Sequence, residues 1–175
     1  LPGLSSYKRV SDYRLGQIAK LTNVSFFPGS EMDRETVLEF GADQVLIATG
    51  SSWRADGLGR ATHAPIPGIA DHAQCFTPDD IMAGQLPSAD AVLVYDDDHY
   101  YIGSVAALAL RAAGHRVTLV TPAGRPCEFG VYTGEIYSSN ARLFEAGVEV
   151  VTNQQIIAVE DGFVRTECSM SGRAG

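Results

Sequence analysis

Hydrophobic and polar positions along the first third of the chain change period several times. From Ser11 to Lys20, Leu15, Ile18 and Ala19 recur among Arg14, Gln17 and Lys20 at a helical spacing, which predicts an amphipathic helix. Val24-Ser25-Phe26-Phe27 predicts a short strand that stops at Pro28-Gly29. Asp33 stands where a helix N-cap belongs, ahead of a helix over Arg34 to Phe40 that Gly41 would close. The run Gln44-Val45-Leu46-Ile47-Ala48 is apolar throughout and meets Thr49-Gly50-Ser51, which predicts a buried strand entering a tight turn.

Between Ser52 and Gln85 the pattern gives way to Gly, Pro, His and Asp, including Pro65-Ile66-Pro67-Gly68. Internal prolines remove ladder donors, so this stretch reads as a crossover rather than a sheet strand. Thr77 followed by Pro78 predicts the start of a short helix that ends near Gly84. Regular alternation then resumes. A strand over Val92 to Tyr95, a helix over Ser104 to Ala113 closed by Gly114, and a strand over Val117 to Val120 make a βαβ unit with parallel strands. Thr133 to Glu145 predicts a longer helix with Ile136, Tyr137, Ala141, Leu143 and Phe144 on its buried side. A strand over Val148 to Val151 follows, and then a hairpin of Ile156 to Val159 and Phe163 to Thr166 turned at Asp161-Gly162. Ser169 to Gly175 carries no pattern that would close a sheet, and Leu1-Pro2-Gly3-Leu4 reads as a connector, so both ends are expected to be cut from something larger. The order of elements predicts an α/β fold, with a Rossmann-like three-layer domain of the NAD(P)-binding kind following the crossover.

In such a fold three glycines follow the first strand: one makes the tight turn, one lets pyrophosphate approach the backbone, and one permits close helix packing. This chain instead has Tyr95-Asp96-Asp97-Asp98-His99-Tyr100-Tyr101-Ile102-Gly103. A single glycine cannot do all three jobs. Asp96, Asp97 and Asp98 would compete with a phosphate for amide donors and repel it, with Asp98 expected to cap the helix that follows. The second strand ends in Thr121-Pro122-Ala123-Gly124-Arg125, which lacks the acidic residue that holds a ribose, and Arg125 reads as a surface charge. The loop after Tyr95 is therefore a degenerate nucleotide loop, marked by Asp96, Asp97, Asp98 and Gly103, and NAD(P) is not expected there. Tyr100 and Tyr101 are candidates to fill the space a cofactor would take.

Charge and composition narrow the remaining options. The 175 residues carry a formal net charge of -8, 45% hydrophobic and 19% charged residues, a folding composition without a basic patch for nucleic acid. No apolar run is long enough to span a membrane. Three widely spaced cysteines, Cys75, Cys127 and Cys168, cannot pair completely within one chain, and we expect reduced thiols in the cytoplasm. The Asp triplet lacks calcium-loop spacing, and His63, His72 and Cys75 lack a fourth ligand, so no metal site is assigned. Cys127 has no CxxC partner. Trp53 and Arg54, after the Gly50 turn, either pack over a nucleotide or seal a domain boundary, and packing is preferred. No catalytic residue is assigned.

The segment Gly41-Ala42-Asp43-Gln44-Val45-Leu46-Ile47-Ala48-Thr49-Gly50, with Pro65 to Gly68 and the strand at Ala91, resembles the two-dinucleotide-domain region of flavoprotein disulfide-reductase-like enzymes. The opening Leu-Pro-Gly, the Arg9 to Lys20 stretch and Tyr95-Asp-Asp-Asp-His-Tyr-Tyr resemble more closely the C-terminal part of the trimethylamine, dimethylamine and histamine dehydrogenase family, within the wider NADH:flavin oxidoreductase and 2,4-dienoyl-CoA reductase family. The resemblance runs through nearly the whole chain. It implies a partial FAD- or ADP-binding-like domain with crossover over residues 1–89, whose contacts to the nucleotide would be Ala48, Thr49 and Gly50. It also implies an NAD(P)-binding-like domain over 90–175, truncated at its end. FMN, a 4Fe-4S cluster and an N-terminal TIM barrel would lie elsewhere in the parent, with an electron-transfer flavoprotein as acceptor and a homo-oligomer as an option. Three functions stay open: a structural or nucleotide-binding module of an amine dehydrogenase, inactive alone; a piece of an FAD-containing NAD(P)H-dependent enoate or dienoyl-CoA reductase; and a non-enzymatic interdomain platform.

Overall fold

The computed structural model describes residues 5–70, 74–160 and 162–175, and His72 lies outside them. Two compact units divide the chain, one over Gly3–Ser51 and one that takes in everything from Ser52 onward.

In the first unit, a single 3-10 turn leads into helix α1, Lys8–Ile18, which starts and stops a few residues before the predicted span. Helix α2, Arg34–Glu39, forms as its cap predicts: the Asp33 carboxylate accepts the Thr36 amide at 2.9 Å, and Gly41 takes φ +69° just beyond the end. The two predicted strands do not form. Residues 24–27 and 44–48 belong to no described strand, and Leu46 and Ile47 are 94% and 83% exposed. Apolar density in that run specifies burial, but a strand needs a ladder partner, and no described residue pairs with it.

The second unit opens with the Gly- and Pro-rich crossover. Pro67 offers its carbonyl to the Val159 amide at 2.9 Å, and a side chain on Gly68 would run into the Val159 carbonyl, so only glycine lets the crossover lie this close. Helix α3, Pro78–Met82, is short and closed by a capping box in which Thr77 and Asp80 exchange hydrogen bonds. Strand β1 (Ala91–Tyr95), helix α4 (Ile102–Ala112) and strand β2 (Arg116–Val120) are the predicted βαβ unit, with Leu93 level with Thr118 in a parallel ladder. Helix α5 (Ile136–Glu145) returns the chain to strand β3 (Glu149–Val151), which pairs parallel to β2 and completes the order β1-β2-β3.

The core lies where α4 and α5 cover this sheet. Leu110, Leu119, Leu143 and Val148 are buried there with Ala107 and Val117. Burying each of the larger aliphatic side chains contributes about 1.5 to 3 kcal/mol. Arg111 ties the layer together, donating to the carbonyl of Ala146, the C-cap of α5, at 2.9 Å and to the His115 carbonyl beyond the end of α4 at 2.8 Å. The predicted face of α5 holds at two of its five positions: Ile136 and Leu143 are buried, while Tyr137, Ala141 and Phe144 stand exposed and the helix begins after Glu135. Strands β4 (Gln154–Glu160) and β5 (Phe163–Cys168) form a separate antiparallel hairpin with an irregularity between Ile156 and Ala158. Its turn residue Asp161 lies outside the described residues; Gly162 takes φ +79°. Residues beyond β5 fold back through a bridge between Glu167 and Ala174.

Candidate functional site

In a parallel sheet of this hand, ligands bind in the crevice beyond the carboxyl ends of the strands. Here the loop after β1 (96–101) and the loop after β2 (121–135) face that position, and the degenerate nucleotide loop occupies the first of them.

Asp96 is the centre of the arrangement. It is 1% exposed, its Oδ1 accepts the His99 amide at 3.2 Å and its Oδ2 accepts the Cys127 amide at 3.4 Å. Both donors sit in the left-handed region, His99 at φ +63° and Cys127 at φ +55°, which residues with a Cβ adopt at a cost. One carboxylate therefore holds two strained residues from different loops. Burial pushes the Asp96 carboxyl pKa up, and the Cys127 and His99 amides pull it back down. Thr121, fully buried, donates its hydroxyl to the Asp96 carbonyl at 2.9 Å and its amide to the Val151 carbonyl at 3.0 Å, stitching the ends of all three strands together.

Gly103 is required by the same carboxylate. A Cβ there would come within 2.7 Å of Asp96 Cγ, so the one surviving glycine makes room for an acidic side chain. The expectation that Asp98 caps the following helix is not met. The N-cap of α4 is Tyr101, without a side-chain cap, and the carboxylates of Asp96 and Asp97 are engaged by the amides of His99, Cys127, Ala61 and Thr62.

Asp97 reaches back to the crossover. Its Oδ1 accepts the Ala61 amide at 2.6 Å and its Oδ2 the Thr62 amide at 3.2 Å, while Thr62 Oγ1 meets the Tyr95 hydroxyl at 2.9 Å. His99 Nε2 stands 3.8 Å from Asp97 Oδ1. On the other side, Phe129 is met edge-on by His99 with ring centroids 5.4 Å apart and by Tyr100 at 5.6 Å, and the Arg60 guanidinium lies over its face at 5.1 Å. The Phe129 amide donates to the His99 carbonyl at 2.9 Å, which joins the two loops through backbone as well.

The structure thus brings Asp96, Asp97 and Gly103 together with residues that sequence reasoning missed: Arg60, Thr62, Thr121, Cys127 and Phe129. Three aspartates in a row after a strand were the available signal; apart from His99, their partners come from 25 to 36 positions away and leave no local pattern. Tyr100 packs edge-on against Phe129 and remains partly exposed. Arg125 is exposed. Cys127 is buried, which raises its thiol pKa, and none of the described cysteines is paired. Ala48, Thr49 and Gly50 belong to the first unit, in an exposed extended stretch with Gly50 at φ +78°. Trp53 is partly exposed and donates its amide to Asp79 at 2.8 Å, and Arg54 forms an exposed ion pair with Asp56. Among the described residues, no group of three or more His, Cys, Asp or Glu side chains could hold a metal ion, and no helix is long and apolar enough to cross a membrane.

Three parallel strands paired in the order β1-β2-β3, with helices α4 and α5 as their crossovers, define a Rossmann-like α/β architecture. Residues 76–170 match the family described as the OYE-like second alpha/beta domain, and the chain belongs to that family. It is 31% identical over 170 residues to dimethylamine dehydrogenase of Hyphomicrobium sp. (strain x), covering 94% of this chain and 23% of that protein. Among solved structures, 6-hydroxypseudooxynicotine amine oxidase from Pseudomonas geniculata N1 superposes with a TM-score of 0.91 at 39% identity, over 100% of this chain and 26% of that one. Histamine dehydrogenase from Rhizobium sp. 4-9 superposes with a TM-score of 0.89 at 41% identity, over 100% of this chain and 27% of that one. The chain resembles a dinucleotide-binding domain of amine dehydrogenases, and spans about a quarter of the length of these relatives.

Proposed function

We propose that the chain is the dinucleotide-domain region of an FMN and iron-sulfur amine dehydrogenase-like oxidoreductase, a module that supports electron transfer without catalysing a reaction alone. The observation that carries this reading is the match along the whole chain, at 39% and 41% identity, to an amine oxidase and a histamine dehydrogenase. In the parent, electrons from an amine would pass from FMN through a 4Fe-4S cluster to an electron-transfer flavoprotein in the cytoplasm. The barrel and cluster region of that parent would hold FMN and the cluster. Residues 1–89 would supply the partial FAD- or ADP-binding-like domain and 90–175 the NAD(P)-like domain, in a parent that would assemble as a homo-oligomer.

The residues present fit an adenine nucleotide better in the first unit than in the second. Ala48, Thr49 and Gly50 would hold ADP or FAD, with Gly50 at φ +78° letting the backbone turn at an exposed position. FAD, if that is the group bound, supplies a carrier of one or two electrons; ADP supplies only affinity and shape. NAD(P) does not fit the second unit. Asp96, Asp97 and Asp98 add negative charge where a pyrophosphate would lie, and Asp96 holds the amides of His99 and Cys127.

The test uses the complete parent protein with its cofactors in place, reduced anaerobically and followed by flavin absorbance. Small primary or methylated amines are expected to bleach the flavin saturably, and NADPH is not. Saturable reduction by NADPH with no response to amines would instead place the parent with the enoate and dienoyl-CoA reductases.

A further inference from the structure

The crossover segment Gly59 to Thr62 does more than connect two halves. It is pinned at the carboxyl end of β1 by the two amides that Asp97 accepts, at 2.6 and 3.2 Å, and by the contact of Thr62 Oγ1 with the Tyr95 hydroxyl at 2.9 Å. At the loop after β2 it is pinned by Arg60 over Phe129. The segment is also shaped to be there. Gly59 donates to the Thr62 carbonyl at 2.8 Å to make a tight turn, and a side chain on Gly59 would collide with the Asp97 carboxylate. One four-residue turn thus touches the loops after both strands that border the crevice, from one side to the other.

We propose that Gly59 to Thr62 is a strap that closes the dinucleotide crevice of the second unit, and that Asp97 is its latch. The consequence separates two ways in which this crevice could refuse a nucleotide. The acidic turn acts by charge, and removing any one of its aspartates would relieve part of that repulsion about equally. The strap acts by occupancy, and only the aspartate that holds it would matter. Asp98 provides the comparison, since it lies in the same turn, carries the same charge and holds neither the Ala61 nor the Thr62 amide. A bare acidic loop has no use for a glycine at position 59, for two amides directed at one carboxylate, or for a cation parked on Phe129; a latched strap accounts for all three. The inference rests on the reading of this crevice as a dinucleotide crevice, and does not depend on the parent's substrate.

The experiment compares Asp97→Ala with Asp98→Ala in the complete parent protein, by amide hydrogen exchange and by equilibrium dialysis against NADH. In Asp97→Ala the Ala61 and Thr62 amides are expected to exchange at least about tenfold faster while β2 amides stay protected, and NADH is expected to bind at least about tenfold more tightly than to Asp98→Ala. Asp98→Ala is expected to leave both amides as protected as in the parent. Equal NADH affinity in the two variants overturns the strap and leaves exclusion to charge alone, an outcome the amine dehydrogenase reading survives. Should Asp97→Ala lose β2 protection, the unaltered protein decides: protection of Ala61 and Thr62 well above that of His63 supports the latch, and protection no greater than that of His63 overturns it.

Discussion

At the scale of single residues, Asp96 carries the most structural weight of the three aspartates. Its carboxylate satisfies two amides in left-handed backbone, so truncating it leaves buried donors without partners in conformations that already cost energy. Asp96→Ala is expected to lower unfolding stability by about 2 to 3 kcal/mol, read from urea midpoints. Its pH dependence has a definite sign. Because burial raises its folded pKa, the folded chain binds this proton more tightly than the unfolded chain. Stability from this group therefore falls as pH rises from the ordinary carboxylate value of about 4 to the raised folded value, and levels off above it. Against Asp96→Asn, which cannot titrate, the natural chain should lose ground through that interval; a gain over the same range would contradict the assignment of burial as the dominant cause. At this scale the sequence was partly readable. Three consecutive acids after a strand announce that the loop is not a phosphate loop, but Asp96 serving Cys127 and Asp97 serving Thr62 depend on contacts across the fold that no local spacing encodes.

At the scale of elements, the second unit was legible because each of its elements is consistent with its own neighbours. β1, α4, β2, α5 and β3 alternate at the right periods, glycines end the helices, and the partners of every strand lie within the next sixty residues. The first unit failed at two strands for the opposite reason. Helix α2 formed because Asp33 and Gly41 are local signals, whereas residues 44–48 need a neighbouring strand that the described chain does not contribute. The same distinction predicts a graded exchange pattern. In this 175-residue chain alone, amides 45–48 are expected to exchange close to the free-peptide rate, while Leu119 and Val120 in the central strand should be protected toward the global unfolding limit. Strong protection of 45–48 in the isolated chain would mean that the run has found a ladder after all. Exposed Leu46 and Ile47 also make this segment the part of the isolated chain most prone to associate with other strands.

At the scale of the whole molecule, the proposed function gives the two units different parts. In that reading the first would hold a nucleotide at Ala48 to Gly50, while the loops beyond β1 and β2 of the second are filled by carboxylates, rings and their own crossover. In the proposed parent, electrons would come from an amine and leave by a cluster, and a dinucleotide fold kept as architecture would serve it without a nicotinamide. The division of labour also explains why the fold class followed from the order of elements while the activity did not: the order is internal to the chain, and the reacting centre of the proposed parent is not. The most direct measurement is a crystal of the complete parent soaked in millimolar NADPH. An intact Asp96 bridge from His99 to Cys127, with the strap in place and no dinucleotide beside Gly103, is the predicted result. Clear density for a pyrophosphate lying along the backbone between Asp96 and Gly103 would contradict it.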